Sequence, residues 1–236
     1  MREKGISLTE TLISLSLFSL VVLASLEFFI HTRNLHQKLK SQQEATAAAI
    51  SAMVRMKADL LAAGAGLLEP IHLGLLEGIS NDENTLTILN KEKEWVSTDD
   101  LIQGQTMINL EDAPELKGER EVCIFDPLKG EMKSVFSADK KSIALSSPLS
   151  FSFRKKKTRI ILIQKVSFFY DGGKNIIRRR VNSSPAQPLV EDAAAFEFEY
   201  EAETNLARFR FTLNPNKRKG YELTVYPKNI ALAKSS

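Results

Sequence analysis

Few residues of this 236-residue chain have the type and spacing that catalysis or metal binding requires. His31 and His36 are five residues apart in a segment predicted to be helical, so they do not share a helix face, and His72 stands alone near Pro70. The single cysteine, Cys123, lies in an apolar stretch without a nearby histidine, which indicates a buried structural thiol. The sequence therefore predicts no catalytic residue, no metal site and no cofactor.

Two stretches contain the oxygen ligands that calcium prefers. They are residues 80–84, which read Ser-Asn-Asp-Glu-Asn, and the pair Asp99 and Asp100. Neither stretch has the spacing of a known calcium-binding loop. Solvated turns are therefore the favoured interpretation, and calcium binding stays open.

Three basic clusters, at residues 154–159, 178–180 and 217–219, could contact the phosphates of a nucleic acid. The candidate contacts are Lys155, Lys156, Lys157, Arg178 and Arg179. Solvation of loops and protection of strand edges explain such clusters equally well. Nucleic acid is therefore not the favoured partner.

One carboxylate, Glu10, lies inside an otherwise uncharged apolar segment. It is the only ionisable side chain in residues 6–26, and a helix needs about 20 apolar residues to cross a bilayer. Three kinds of segment fit this pattern. They are a cleavable secretory signal with Arg2 and Lys4 as its positive region, an uncleaved signal anchor, and a signal that is cut before the apolar run so that the run is retained.

Glu10 distinguishes these three possibilities. A carboxylate inside the membrane costs about 3 kcal/mol on insertion scales, so neither a secretory signal nor a plain anchor has a reason to carry one. A buried charge persists where a partner neutralises it. A cut between Gly5 and Ile6 would create an α-amine that the Glu10 of a neighbouring subunit could contact. The carboxylate therefore predicts assembly into a polymer or complex.

The residues around this cut resemble a known processing site. The sequence KGISLTE, residues 4–10, is similar to the processing site of type IV pilins and of the pseudopilins of type II secretion. It has a short charged leader, Gly before the cut, an apolar first residue and Glu at the fifth mature position, although Ile6 stands where the family more often has Phe. The resemblance implies cleavage between Gly5 and Ile6, N-methylation of Ile6 by a prepilin peptidase, and a role for Glu10 in assembly.

A long helix is predicted to carry Glu10. Residues 27–63 contain neither Pro nor Gly and are rich in helix formers, so the helix should continue to about Ala63 and stop at Gly64 and Gly66. Apolar residues recur every three or four positions near its end, which predicts a buried stripe. The stripe contains Ile50, Met53, Met56 or Lys57, Leu60 and Leu61.

The rest of the chain is predicted to form strands, because short apolar or alternating runs are separated by turn residues. The runs are residues 85–89, 107–110, 121–125, 133–136, 142–146, 159–170, 175–181, 195–202, 207–213 and 221–226. An α+β fold is therefore expected, in which a long N-terminal helix packs on a mostly antiparallel β-sheet domain. Its predicted segments are a leader 1–5, a membrane-spanning assembly helix 6–30, its amphipathic continuation 31–64 and a β-rich domain 65–236.

Two hairpins are predicted in detail. Gly172 and Gly173 can adopt the positive φ angles of a two-residue turn. In the second hairpin, acidic and basic residues alternate with aromatic ones on facing strands, so one face should be an aromatic core and the other a ladder of opposite charges. With a turn at Thr204 and Asn205, the ladder would pair Glu201 with Arg208 and Glu199 with Arg210.

This order of elements resembles type IV pilin-like proteins over most of the chain. Residues 166–200 are similar to the C-terminal half of PilW-like minor pilins and of the J-type minor pseudopilin, and residues 56–66, with Asp59, to their helix end. The resemblance implies a minor pilin or pseudopilin that helps to assemble or prime the tip of a type IV pilus or type II secretion pseudopilus.

The same resemblance implies the partners and the location. Other pilin or pseudopilin subunits and the prepilin peptidase would be the partners. The chain would span the bacterial cytoplasmic membrane once, with its globular domain outside the cytoplasm, until assembly. The other class of function that fits is a membrane-anchored binding module for DNA or a surface ligand.

Overall fold

The structure is a computed structural model, which describes residues 7–82, 84–112, 116, 119–213 and 220–235. The chain divides into two compact units, Met1–Ala48 and Ala49–Ser236. The described residues of the first unit belong to the long helix α1. The second unit contains the last turns of α1 together with two β-sheets and two short helices.

Helix α1 covers Leu8–Ala62. It contains no Pro or Gly, so nothing in its sequence breaks it. The helix ends within one residue of the predicted position, and Gly64 follows with φ +72°, a conformation that favours glycine. Asn229 Nδ2 donates to the carbonyls of residues 61 and 63, so carbonyls at the helix end have a partner from the far end of the chain.

The buried face of α1 differs in part from the predicted stripe. Its buried residues are Ala49, Ala52, Met56 and Leu60, whereas Ile50 and Leu61 are exposed. Met56 and Leu60 pack in one cluster with Phe168 and Phe209. The other two buried residues are alanines, which a pattern based on large apolar residues does not predict.

Within the described residues, α1 is followed by twelve strands and two helices, and every strand pairing is antiparallel. The ten predicted strands are all present, which confirms the α+β class, while β1, β9 and both short helices were not predicted. The elements are α2 Leu68–His72, β1 Ile79–Asp82, β2 Thr85–Val96, β3 Met107–Asn109, β4 Arg120–Asp126, β5 Lys129–Asp139, β6 Ser142–Leu145, β7 Arg159–Asp171, β8 Ile176–Val181, β9 Gln187–Val190, β10 Ala193–Glu201, β11 Leu206–Leu213, β12 Gly220–Val225 and α3 Lys228–Ser235.

Strand β7 is the centre of the larger, nine-stranded sheet, whose order is β1-β2-β7-β4-β5-β6-β3; in addition, β8 pairs with β7, and β9 pairs with β8. Strand β2 pairs along one edge of β7. On the other edge, β4 pairs with residues 159–162 and β8 with residues 166–171. Strands β4 and β8 therefore diverge beside residues 163–165 and leave a fork in the sheet.

The hairpin between β7 and β8 does not have the predicted two-residue turn. Asp171 pairs with Ile176, so the loop has four residues, 172–175. The residue with positive φ is Asn175, at 57°, and neither glycine of the loop has a positive φ. Tyr170 Oη donates to Asn175 Oδ1 at 2.9 Å, which holds this asparagine in place.

The hairpin between β10 and β11, in the smaller sheet of β10, β11 and β12, has the predicted faces but a different register. The observed pairs include Glu199 with Arg208, Glu197 with Arg210 and Phe198 with Phe209. The predicted register is therefore wrong, because the observed partners on β10 lie two residues earlier in the chain than the predicted ones. The loop again has four residues, 202–205, and Asn205 closes it with φ +52° while accepting a hydrogen bond from Tyr200 Oη at 2.8 Å.

Both errors have one physical cause. Each hairpin places a tyrosine five residues before an asparagine, and the asparagine takes the left-handed conformation at the last loop position. Asparagine adopts this conformation more readily than most residues, and the tyrosine hydroxyl adds a hydrogen bond. A four-residue loop therefore replaces the shorter turn in both places.

Candidate functional site

The first part of α1 has an apolar surface that no other described residue of the chain packs against. Every residue from 7 to 41 is exposed. An 18-residue window of α1 has a mean hydropathy of 2.2, and among the described residues α1 is the one helix long and apolar enough to cross a membrane by length and composition. Since so much exposed apolar surface is unfavourable in water, α1 fits a membrane anchor. Its exposed apolar residues include Leu12, Leu15, Phe18, Leu20, Val21, Leu23 and Phe28.

Three serine hydroxyls in this apolar part have partners within the helix. Each donates to a backbone carbonyl three or four residues earlier, an arrangement that satisfies a hydroxyl group where water is absent. The bonds are Ser16 Oγ to Ile13 O at 2.9 Å, Ser19 Oγ to Leu15 O at 2.8 Å and Ser25 Oγ to Val21 O at 2.7 Å.

Glu10 is different from these serines. It lies in the first turn of α1, its side chain is exposed, and its backbone N–H donates to Ser7 O at 3.0 Å. Within the part of the chain that the structure describes, no side chain pairs with its carboxylate. A carboxylate in lipid is stabilised by a proton, by water or by a cation.

Some predicted sites fall outside the described residues. They are the processing residues Gly5 and Ile6, the basic turn 217–219, and Glu83 of the first acidic stretch.

The lysines of the predicted phosphate contact lie in an exposed turn before β7. Lys155 donates its backbone N–H to Asp100 Oδ1 at 2.6 Å, and Lys156 has φ +65°. Arg178 and Arg179 lie opposite residues 169 and 168, about 30 Å further along β7 at 3.3 Å per residue. The fold therefore does not bring the lysines and the arginines into one cluster.

Both arginines are already paired with carboxylates. Arg178 Nε donates to Asp171 Oδ2 at 2.9 Å. Arg179 donates through Nε to Asp59 Oδ2 at 2.7 Å and through Nη2 to Asp59 Oδ1 at 3.0 Å, and each side chain of this pair is only 14% exposed. A phosphate would have to compete with these carboxylates, so the nucleic-acid prediction now rests on the lysines.

The second acidic stretch holds its own loop together. Asp99 accepts hydrogen bonds from Ser97 Oγ through its backbone carbonyl and from Asn109 Nδ2 through its carboxylate. Asp100 accepts from the backbone of Lys155. Among the described residues, no group of three or more His, Cys, Asp or Glu side chains is placed to hold a metal ion.

Cys123 is a free thiol with no exposed surface, in strand β4. Burial raises the pKa of the Cys123 thiol to about 12, so the thiolate is not formed at neutral pH. The interpretation of Cys123 as a buried structural thiol is confirmed.

Comparisons with protein-family models, curated proteins and solved structures found no match. The function of this chain therefore has to be inferred from its own residues and their geometry.

Sequence reasoning missed a buried carboxylate, Glu131 of β5, which is 8% exposed. It accepts hydrogen bonds from the backbone N–H groups of Ser150 and Phe151, and Lys133 Nζ lies 2.9 Å away. Burial, the largest single influence, raises the pKa of Glu131, but the hydrogen bonds from Ser150, Lys133 and Phe151 together lower it below its ordinary value. No signal in the sequence indicates this site, because the two backbone donors are about twenty residues away along the chain.

Proposed function

We propose that this chain is a minor pilin or minor pseudopilin, a subunit that joins the tip or priming complex of a type IV pilus or a type II secretion pseudopilus. The observation that carries the proposal is the exposed carboxylate of Glu10, which has no partner among the described residues and lies in the first turn of an exposed apolar helix. The KGISLTE sequence and the order of one long helix followed by antiparallel sheets support it. The order of elements supports the proposal by analogy with the architecture of pilins.

In this proposal a prepilin peptidase cuts between Gly5 and Ile6 and methylates the new amine of Ile6. Residues 6–30 hold the subunit in the bacterial cytoplasmic membrane, with the β-rich domain outside the cytoplasm. The amine of one subunit and the Glu10 of its neighbour then neutralise each other when the helices leave the lipid and pack together. The chain acts through packing and has no catalytic role.

The first test is the intact mass and N-terminal sequence of the chain extracted from the membrane of the bacterium that makes it. We expect the chain to start at methylated Ile6. A start at Ser25 would mean secretory cleavage, and an intact Met1 would mean an uncleaved anchor. Either result contradicts the proposal.

The second test replaces the carboxylate. A photo-crosslinking residue at Leu12 in the full chain should capture a second membrane protein whose N-terminus also arises from a prepilin-type cut. We expect Glu10→Ala to reduce this crosslink at least about tenfold, because removing a partner for a charge in low dielectric costs more than about 1.4 kcal/mol. The matched control is Glu27→Ala, an exposed carboxylate later on the same helix, which should crosslink like the unaltered chain. Equal crosslinking by Glu10→Ala would contradict the proposed role.

A further inference from the structure

The fork between β4 and β8 holds a cleft of about 380 Å³, here called the fork cleft. One wall comes from the start of β4 and the other from β7 and β8, so the cleft lies on strands of the sheet. Nine polar or charged residues line the cleft, and six of them carry the argument below. They are Glu119, Arg120 and Glu121 on the first wall and Lys165, Ser167 and Arg180 on the second.

Hydrogen bonds connect the strands beneath the fork cleft, where the regular pairing of β4 and β8 with β7 stops. Arg120 donates through Nη2 to Ile163 O at 3.3 Å and contacts the Glu92 carboxylate. The backbone N–H of Lys165 donates to Asn182 Oδ1 at 2.8 Å, and the backbone N–H of Asn182 donates to Lys165 O at 2.7 Å. The diverging strands are therefore fixed, so the walls of the cleft are preformed.

Two polar groups at the fork cleft have no hydrogen-bond partner among the residues that the structure describes, and one of them, Arg120 Nε, is fully buried. Ser167 is only 2% exposed, and its hydroxyl makes no hydrogen bond to any residue that the structure describes. Arg120 is 8% exposed, and its Nε is buried without an acceptor. Polar groups of buried residues are normally satisfied, so Arg120 Nε and the hydroxyl of Ser167 indicate that the cleft can accommodate an additional polar group.

The charges of the two walls do not neutralise each other. In the described part of the chain, Lys165 and Arg180 have no carboxylate partner, and Arg180 lies over the Phe169 ring at 5.7 Å. Glu119 and Glu121 on the opposite wall likewise have no cation partner there. Because Glu92 already neutralises Arg120, one wall is basic and the other acidic.

The three side chains of the basic wall are close enough together to contact a single acidic group of a ligand. Lys165 and Ser167 point to the same face of β7, about 7 Å apart along the strand. Ser167 is directly opposite Arg180 on β8, and the Cβ atoms of such a pair are about 5 Å apart. Two cations and a hydroxyl at this spacing suit the oxygen atoms of a carboxylate or a phosphate.

We propose that the fork cleft binds a small zwitterion, a molecule with an acidic group and a primary amine joined by a short spacer. The acidic group contacts Lys165, Ser167 and Arg180, and the amine contacts Glu119 and Glu121. An anion alone is repelled by the acidic wall and a cation alone by the basic wall, so only a ligand with both charges satisfies the two walls. This inference does not depend on the proposed function.

The test is isothermal titration calorimetry of the full chain in a neutral maltoside detergent and a phosphate-free buffer of low ionic strength. The probes are O-phosphoethanolamine and β-alanine, which are zwitterions, and inorganic phosphate, acetate and ethanolamine, which are not. At least one zwitterion should bind at least about tenfold more tightly than every single-charge probe. Which zwitterion binds more tightly assigns the acidic group as phosphate or carboxylate. If inorganic phosphate or acetate binds as tightly as the zwitterions, or if no probe binds, the proposal is wrong.

Variants on both walls complete the test. Lys165→Gln, Arg180→Gln and Glu121→Gln change exposed side chains, so unaltered melting temperatures will show that each variant is folded. Each variant should weaken zwitterion binding at least about tenfold, since a hydrogen-bonded charge is removed. Lys174→Gln and Glu191→Gln change exposed charges in turns outside the cleft and should leave affinity unchanged. Unchanged affinity in the wall variants, or an equal loss in the controls, would overturn the assignment.

Discussion

Glu10 and Glu131 are two carboxylates with different surroundings. Glu131 is buried inside the second unit, where two backbone N–H groups and Lys133 satisfy it. Glu10 is exposed on an apolar helix and has none of these contacts among the described residues. A carboxylate with internal partners serves the fold, whereas one without them is available to another molecule.

Glu131 predicts a particular dependence of stability on acid. Because the folded pKa of Glu131 is lowered, its contribution to stability is present above the unfolded pKa of about 4.3 and is lost as pH falls through the folded pKa. Glu131→Gln should therefore reduce the free energy of unfolding by about 1–3 kcal/mol at pH 7 and by less at pH 3. The measurement is denaturant unfolding of the detergent-solubilised chain at both pH values. A loss of equal size at pH 3 and pH 7 would show that the charge of Glu131 makes no contribution.

The end of α1 is tied to the sheet by one ion pair. Asp59 accepts both hydrogen bonds from Arg179 of β8, and Arg55 on the preceding turn of α1 lies 3.7 Å from the same carboxylate. The position of Asp59 was noted from the sequence, but its partner lies 120 residues later and could not be predicted. Arginine runs on a strand alternate between its two faces, so Arg179 faces α1 while its neighbours in sequence face away.

We expect Asp59→Ala and Arg179→Ala each to lower the free energy of unfolding by on the order of 2–3 kcal/mol, because each leaves a mostly buried charge without its partner. The double variant should lose less than the sum of the two single losses, which is the signature of direct coupling. Denaturant unfolding of all four proteins gives the coupling energy. Arg55→Ala, whose side chain is 57% exposed, is the control and should cost less than about 0.5 kcal/mol. Additive losses at 59 and 179 would rule out the pair as a link between helix and sheet.

The register of β10 and β11 makes a second prediction at this scale. Reversing both charges of the facing pair, Glu199→Arg with Arg208→Glu, should recover about 0.5 kcal/mol relative to the sum of the single reversals. Combining Glu199→Arg with Arg210→Glu should recover less, because Arg210 faces Glu197 and also pairs with Glu222 at 3.3 Å. Thermodynamic cycles from chemical denaturation compare the two combinations. The opposite ranking would favour the register predicted from sequence.

These hairpins show how far periodicity carries a sequence-based prediction. Alternation placed the aromatic residues on one face of β10 and β11 and the charges on the other, because side chains alternate along any strand. Register depends on the loop, and a shift of two residues preserves every face, so alternation cannot detect it. The fork cleft was also beyond prediction, since Arg120, Ser167 and Arg180 come together only through the pairing of three strands.

At the scale of the whole molecule, the apolar part of α1 should determine whether the chain is bound to a membrane. Leu17→Lys combined with Leu20→Lys should move much of the chain into the soluble fraction, because each central lysine costs about 2.5–3.5 kcal/mol on insertion scales. The measurement is carbonate extraction followed by quantification of both fractions. Leu128→Lys is the control, since Leu128 is the most exposed large apolar side chain outside α1 at 89%. If the double variant remains as resistant to extraction as this control, α1 is not the anchor.

The sequence predicted the class and the ten strands of the β-rich domain because strand and helix periods are local properties. It predicted Met56 and Leu60 on the buried face of α1 but not the two alanines, since burial of a helix residue depends on the side chains that pack against it. The same limit applies to Glu131, whose partners approach only in the folded chain. Local patterns therefore predict elements, while ion pairs and clefts depend on how those elements meet.

The inert sulfur of Cys123 has a practical consequence for spectroscopy. With its only native thiol buried and protonated at neutral pH, the unaltered protein should not react with maleimide or methanethiosulfonate reagents. A cysteine introduced anywhere on the surface would then carry a fluorophore or spin label uniquely, without first removing a side chain from the core. Distances between labelled copies could thus be measured in the native background.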